Sequence, residues 1–312
     1  MDYSPIKLTA PIKDYIWGGQ KLITEFNKKT NLDKAAESWE LSTHHDGESI
    51  VAGGQFKGLT LSEYIEKNGN DIIGENAKAF DFFPILIKLI DAKDNLSIQV
   101  HPNDDYALRV EHEYGKTEMW YIVDCEKDSY LYYGLNRTVS KEEFRKRIEN
   151  NTLLEILNKV PVHKGDVFFI PSGTIHAICS GILICEVQQN SNTTYRVYDY
   201  DRRDKDGNPR QLHIDKAIDV ANLFPAPPQK EVHDGILASC KYFTVKKLEC
   251  NESLDIKLDE SSFRSLVITD GEGRLTLNET TLSLFKGDSI FIPAQDAVLH
   301  ISGRLEGILS CV

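Results

Sequence analysis

The sequence predicts a mainly β protein, built from sandwich- or barrel-like units rather than alternating strand–helix repeats. Three observations predict this. Short segments rich in β-branched and aromatic residues recur along the chain. Gly, Pro and Asn punctuate them. A stretch beginning at Lys164, KGDVFFIPSGTIHAICSG, echoes near the C-terminus as KGDSIFIPAQDAVLHISG, beginning at Lys286.

Taken in order, LTLSEYIEKNG (59–69) reads as a helix and FFPILIKLIDA (82–92) as a strand. LSIQV (96–100) opens like another strand. Asn103 is a helix cap for DDYALRVEHEY (104–114). EMWYIVDC (118–125), SYLYYGL (129–135), DVFFIP (166–171) and ILICEVQQ (182–189) read as strands. Between them, Ser140 and Glu143 form a capping-box pattern ahead of an amphipathic helix over 140–159. HIDKAIDVANL (213–223) is a further helix. FPAPPQKE (224–231), with three prolines, is the predicted linker.

The echo sets the domain organisation. The Lys-Gly-Asp copies are offset by 286 − 164 = 122 residues. WYIVDCE (120–126) and LVITDGE (266–272) are offset by 266 − 120 = 146. The first copy is therefore longer by 146 − 122 = 24 residues, most of which the 140–159 helix supplies. This predicts two copies of one β-fold: a lobe over 1–230 carrying the helical insertion, and a second over 236–312.

Composition excludes some functions. The chain has 312 residues and a formal net charge of −12, which disfavours nucleic acid and anionic membranes as partners. Any anionic substrate needs a local reversal of that sign. The six cysteines form no C-x-x-C pair and fit reduced thiols. There is no leader pattern at the N-terminus and no apolar run long enough to span a bilayer, so a cytoplasmic location is expected. Oligomeric state is not legible.

The chemistry concentrates in two places. In LSIQVHPNDDYA (96–107), Gln99 and His101 alternate with Val100 and leave the same face of a strand. Further on, Gly165, Pro171, Gly173 and His176 have the spacing G-x5-P-x-G-x2-H. That spacing resembles the second motif of the cupin superfamily, whose members are small double-sheet jelly rolls, often with a metal inside. Ser180 stands where that motif has Asn. The resemblance implies two cupin-like jelly-roll lobes, with helical insertions in the N-terminal one. Gln99, His101, Glu118 and His176 then become N and O ligands for one divalent cation. The donor set suits Zn2+, with Mn2+, Fe2+, Co2+ and Ni2+ open. Because 118 − 101 = 17, a helical excursion must separate two of the ligands.

Each candidate has a plainer role. Gln99 is more often a hydrogen-bonded strand residue, and amide oxygens are weak donors. His101 precedes a Pro and could cap a helix. Glu118 could pair with Lys116. Glu111, His112 and Glu113 suit a charged helix face, and His44 with His45 a solvated turn. The echo also limits the count. At its offsets His176 becomes Val298 and Glu118 becomes Arg264, so a single metal site is expected, in the first lobe.

Longer stretches extend the likeness. DYIWGG (14–19), AAESWELSTH (35–44), FPILIKLIDAKDNLSIQVHPND (83–104), GKTEMWYIVD (115–124), GLNR (134–137) and NTTYRVYDYDR (192–202) resemble the type I mannose-6-phosphate isomerases, in their short bacterial form. The resemblance implies zinc on Gln99, His101, Glu118 and His176, and an essential arginine at Arg196. It also implies substrate contacts at Ser97, Lys88 and Lys116, with Lys116 a further catalytic candidate. Asn192 stands where some relatives have an Asp given an acid–base role. The implied reaction interconverts mannose 6-phosphate and fructose 6-phosphate through an enediol. Arg196 also has Asp199 and Asp201 as available partners, and a lone strand lysine such as Lys88 usually faces solvent. The alternatives are a cupin dioxygenase using Fe2+ or Mn2+, a sugar-phosphate-binding cupin without turnover, and a cupin-type glucose-6-phosphate isomerase.

Overall fold

A computed structural model gives the fold and describes residues 2–203, 207–226, 228–229 and 234–312. The chain is mainly β, with antiparallel strands throughout the described pairings. It divides into two compact units. Unit 1 holds Met1–Asp91, Cys185–Asn190 and Glu231–Val312, and unit 2 holds Ala92–Ile184 and Ser191–Lys230. These units and the two sequence copies are different divisions of the chain. Residues 1–91 join the C-terminal copy because the strand Ile6–Thr9 pairs with Ser289–Ile292, covering an edge that would otherwise be open. Of the expected linker, residues 227, 230 and 231 lie outside the described residues.

In unit 1, two long strands, Arg264–Leu277 and Val298–Cys311, pair along most of their length. Their inward residues, including Leu266, Ile268, Leu275, Leu299 and Ile301, form one apolar cluster with Ile290 and Ile292. The strand Ile85–Ala92 is buried at every residue, which is why its sequence is an almost unbroken apolar run. It pairs with Glu37–Leu41, setting Lys88 opposite Trp39.

Unit 2 contains a five-stranded sheet in the order Tyr195–Tyr198, Ile98–Val100, His176–Ile178, Tyr130–Leu135, Leu157–Pro161. A second pair, Glu118–Cys125 with Val167–Ile170, lies across from it, joined by a bond from the Tyr133 hydroxyl to the Phe169 carbonyl of 2.9 Å. Alternation along the strands sorts the two faces of the larger sheet. Ile98, Val100, Ala177, Tyr195 and Val197 pack against Phe144, Ile148, Ala217 and Ile218 of two helices. The residues between them, Gln99, His176 and Arg196, therefore leave the opposite face.

The helical insertion is shorter than its sequence suggests. It is an α-helix over Lys141–Glu149, a 3-10 turn over Leu153–Ile156, and then the strand Leu157–Pro161. Asn151 takes a left-handed backbone (φ 55°), which ends the helix. Ser140 caps it by accepting from the Glu143 amide at 3.1 Å, but Glu143 turns its carboxylate to Arg137. The helix Leu61–Asn68 has the complete reciprocal box, between Thr60 and Glu63. Asn103 caps Asp104–Val110 through the Tyr106 amide.

The two copies match in detail. The Gly165 amide donates to the Ile122 carbonyl at 2.8 Å, and the Gly287 amide to that of Ile268 at 2.9 Å. Asp166 accepts from the His163 amide and Asp288 from the Phe285 amide, each at 2.8 Å. Ile170 pairs with Glu118, and Ile292 with Arg264. These correspondences keep both sequence offsets. All six cysteines are free thiols, and burial pushes the Cys179 thiol up to about 12. Among the described residues, no helix is long and apolar enough to cross a membrane.

Candidate metal centre

The centre is built from both layers of unit 2. His176 opens the strand that follows the Pro171–Gly173 turn, and its register partners are Gln99 on one side and Tyr133 on the other. Gln99 is paired in turn with Arg196. Arg196, Gln99, His176 and Tyr133 therefore form one row across the sheet, on the face away from the helices. His101 follows the end of its strand. Glu118 begins the strand of the opposing layer.

His101, Glu118 and His176 are buried and converge, with one donor atom from each lying within 4.8 Å of the others. His176 Nε2 lies 3.2 Å from Glu118 Oε1, and His101 Nε2 lies 3.7 Å from Glu118 Oε2. The other nitrogen of each ring is tied to the backbone. His101 Nδ1 is 2.9 Å from the Thr193 carbonyl, and His176 Nδ1 is 2.9 Å from the Thr174 carbonyl. A carbonyl only accepts, so both Nδ1 atoms carry hydrogen in the neutral rings. Both Nε2 lone pairs then face the carboxylate, as a metal-ligating pair requires. Two imidazoles and a carboxylate fit a borderline divalent cation such as Zn2+. The helix Asp104–Val110 is capped by Asn103 rather than by His101.

Lys116 joins the same group. Its ammonium contacts the Glu118 carboxylate and lies 3.2 Å from His101 Nε2. The pairing of Glu118 with Lys116 and its convergence with the histidines thus coexist, and a positive charge sits against the ligand set. Gln99 shares the face of His176 and is half-buried. Trp120, one turn of the pleat beyond Glu118, sets its ring edge against His176 with centroids 5.3 Å apart.

Arg196 sits at the far end of the row. Its Nε donates to Ser97 Oγ at 3.2 Å and its Nη1 to the Gln211 carbonyl at 3.0 Å. Burial lowers its pKa, and Arg210 beside it adds to that. It does not take Asp199 as its ion-pair partner: Asp199 is bound by Arg202 and Arg210. Arg196, Arg202 and Arg210 have no periodic spacing, so the sequence carries no signal that joins them. Asn192 lies in the segment before the strand Tyr195–Tyr198, and its amide donates to Glu113, as the Thr193 hydroxyl does.

Lys88 lies in unit 1. It is buried rather than solvent-facing, with its ammonium 3.5 Å from Glu37, 3.4 Å from Glu186 and over the Trp39 ring. His44 is buried there and His45 exposed, their rings stacked at 4.3 Å. In the second copy, Arg264 reaches Asp259 and Val298 is exposed, so neither position supplies a ligand.

Comparison with known proteins agrees with this architecture. Residues 6–133 match the family model "Phosphomannose isomerase type I, catalytic domain", and residues 235–312 match "Mannose-6-phosphate isomerase, cupin domain". The chain is 40% identical to mannose-6-phosphate isomerase ManA of Bacillus subtilis, over 99% of both chains. It is 39% identical to mannose-6-phosphate isomerase of Streptococcus mutans, over 98% of both. The crystal structure of the Bacillus subtilis mannose 6-phosphate isomerase superposes with a TM-score of 0.89 at 37% identity, covering 99% of this chain and 100% of that one. A mannose 6-phosphate isomerase crystallised with zinc and yttrium shares the fold, with a TM-score of 0.78 at 20% identity, covering 98% of this chain and 99% of that one.

Proposed function

From the premise that this chain belongs to the type I phosphomannose isomerase family, we propose that it interconverts mannose 6-phosphate and fructose 6-phosphate through an enediol, on a divalent metal centre. It is an isomerase; the metal dependence and the enediol route are the parts this reading adds. Neither the dioxygenase nor the binding-only alternative is favoured by the comparisons. The observation that carries the reading is the inward pair of Nε2 atoms on His101 and His176, each fixed by a carbonyl behind it and both facing Glu118.

His101, Glu118 and His176 would hold the metal, with Gln99 as a fourth ligand from the same row. Zinc is the proposed ion, because the donors suit it and because a relative of this fold carries it. When bound, such a cation supplies Lewis-acid polarisation of sugar oxygens.

The remaining steps belong to the chain. The C2–H bond breaks, its electron pair forms the C1–C2 double bond, and the C1 carbonyl oxygen takes a proton to become a hydroxyl. The C2 hydroxyl then gives up its proton and becomes a carbonyl as the double bond breaks and C1 takes a proton, so no electrons leave the substrate. Lys116, against His101 and Glu118, is proposed to carry the proton, with His101 itself a poorer base if it is ligated. Arg196, braced by Ser97, places fixed positive charge near the developing enediolate. The substrate contacts proposed for Ser97 and Lys88 rest on the resemblance alone. Asn192 has no carboxylate to serve as a base, so its position needs no acid–base role here. On this reading residues 1–230 are the catalytic lobe and 236–312 a metal-free one. Cytoplasmic residence belongs to the same reading, which the six free thiols support.

The experiment is direct. Pure protein is mixed with mannose 6-phosphate, with and without EDTA, and fructose 6-phosphate is measured. Product without chelator and none with it is expected. Equal turnover in metal-free protein would remove the metal from the mechanism.

A further inference from the structure

The excursion between His101 and Glu118 carries two carboxylates that the metal centre leaves unused. The sequence suits Glu111, His112 and Glu113 to a charged helix face. The helix instead stops at Val110, and His112 takes a left-handed backbone (φ 58°), which ends the helical run. The excursion is closed at its neck. The Gly115 amide donates to Asp104 Oδ1 at 2.9 Å, and the Lys116 amide to the Pro102 carbonyl at 3.0 Å. Glu111 and Glu113 are thus held on a short closed loop that joins two of the metal ligands.

Both carboxylates reach the segment that leads into the strand Tyr195–Tyr198. Glu111 Oε1 accepts from the Tyr195 hydroxyl at 2.7 Å and from Lys216 at 2.6 Å. Glu113 Oε2 accepts from the Ser191 hydroxyl at 3.3 Å, the Asn192 amide at 3.3 Å and the Thr193 hydroxyl at 3.1 Å. The Ser191 hydroxyl in turn accepts from the Thr193 amide at 3.2 Å. Strand pairing begins only at Tyr195, opposite Val100. Over Ser191–Thr193 one carboxylate oxygen therefore does what the ladder does further on. Thr193 matters because its carbonyl is the acceptor behind His101 Nδ1, at 2.9 Å. Glu113 holds the residue that holds the metal-facing ring.

We infer that Glu113 is a positioning residue for the metal centre: it fixes Ser191–Thr193 so that the Thr193 carbonyl keeps hydrogen on His101 Nδ1 and the Nε2 lone pair facing Glu118. This rests on the metal-centre part of the proposed function. Without the carboxylate the segment can shift and its carbonyl can leave the ring. The ring can then carry its hydrogen on Nε2, and that tautomer offers a cation no lone pair beside Glu118 and His176. Position 192 contributes only a backbone amide to this tie, which Asn192 supplies as well as an Asp would.

The test compares full-length wild type with Glu113→Ala, Glu113→Gln and Glu111→Ala. Zinc titration of the stripped proteins reads affinity, NMR of the His101 ring nitrogens before zinc is added reads the tautomer, and urea unfolding reads stability. Altering a group directly behind a ligand costs about 10- to 100-fold in metal affinity; Glu113 stands one step further back, so Glu113→Ala is expected to lose about tenfold. Glu113→Gln keeps an oxygen acceptor, though a weaker one, and should stay within about threefold of wild type. Glu111→Ala breaks a tie from the same loop to the same segment, but not one to Thr193. It is expected to lower the urea midpoint and leave zinc affinity within about twofold of wild type. His101 should carry hydrogen on Nδ1 in wild type and Glu111→Ala, and be a mixture of tautomers in Glu113→Ala. If Glu113→Ala does not fold, Glu113→Asp, which withdraws the carboxylate by one carbon, takes its place. A folded Glu113 variant of either kind with wild-type tautomer and zinc affinity would overturn the inference. So would an equal loss of zinc affinity in Glu111→Ala, which would make both carboxylates plain staples of the loop. A wild type that takes up no zinc would instead sink the metal-centre reading, and the His101 tautomers would still decide the role of Glu113.

Discussion

Nε2 of His176 lies 3.2 Å from Oε1 of Glu118, across the two layers of unit 2. Neither residue can shift far, since His176 is held from behind by the Thr174 carbonyl and both are fully buried. Such a pair is pre-arranged for a cation. Glu118→Gln and His176→Ala should therefore each lose bound zinc. Altering a residue merely behind a ligand costs about 10- to 100-fold in metal affinity, so losing a ligand should cost at least that. Metal content per chain, measured by atomic absorption after gel filtration, checks this. Full zinc occupancy in either variant would remove that residue from the ligand set.

Metal uptake should depend on pH in one direction. Both imidazoles must be neutral to ligate, and an ordinary imidazole gains its proton near about 6.5. Zinc affinity should hold steady at neutral pH and fall below about pH 6. Trp120, edge-on to His176, offers a reporter: its emission should change on zinc addition in wild type and not in His176→Ala. A binding curve that stays flat down to about pH 5 would exclude histidine ligation.

The two glycines of the Gly165–His176 motif should differ when replaced. Gly165 has φ 94° but open space where a Cβ would go, so Gly165→Ala should cost about 1–2 kcal/mol of backbone strain. Gly173 has φ 84°, and its Cβ would lie 2.8 Å from Asn222 Nδ2 and 2.9 Å from the Val220 carbonyl. Its amide also donates to the His101 carbonyl at 2.8 Å. Gly173→Ala should therefore destabilise more and also weaken zinc binding. Urea midpoints and metal titrations of both variants check this, and equal effects at the two sites would refute it.

The proposed catalytic arginine gives a separate outcome. Arg196→Ala removes bonds only to Ser97 Oγ and a carbonyl, so the fold should survive. Loss of fixed positive charge near an oxyanion typically costs about 100-fold or more in rate. A kcat reduced by about that factor, with an unchanged circular-dichroism spectrum, is expected. A variant as active as wild type would reduce Arg196 to a strand-packing residue.

What the sequence made legible follows from which interactions are local. Gln99, Val100 and His101 revealed a two-faced strand because alternation is a property of neighbouring residues. Gly165 to His176 revealed a turn and an inward histidine by spacing alone. The two offsets of the echo reappear as matched amide bonds at Gly165 and Gly287. By contrast, the carbonyls of Thr193 and Thr174 orient both histidines and leave no trace in residue type, since every residue has a carbonyl. The pairing of Ile6 with Phe291 joins the two ends of the chain, and no local pattern encodes it. Asp199 looked available to Arg196 by proximity in sequence, but the backbone gives it to Arg202 and Arg210 instead.

That exchange of partners sets the pH dependence of stability. The Asp199 carboxyl is held below its ordinary value of 3.8 by bonds that overcome its burial. A depressed folded value stabilises the fold above the unfolded value and loses that stabilisation as pH falls through the folded one. Asp199→Asn should therefore be less stable than wild type at pH 7. A charged hydrogen-bonded group contributes about 1.5–3 kcal/mol, and the partial exposure of Arg202 and Arg210 favours the lower end. The gap should stay constant from about pH 7 to 5 and narrow below about 4, where the carboxyl takes up its proton in the unfolded chain while the folded one stays charged. Urea unfolding of both proteins across that range measures it. A gap that held its full size to about pH 2, or widened as acid was added, would mean that Asp199 is not charged by its two arginines in the folded protein.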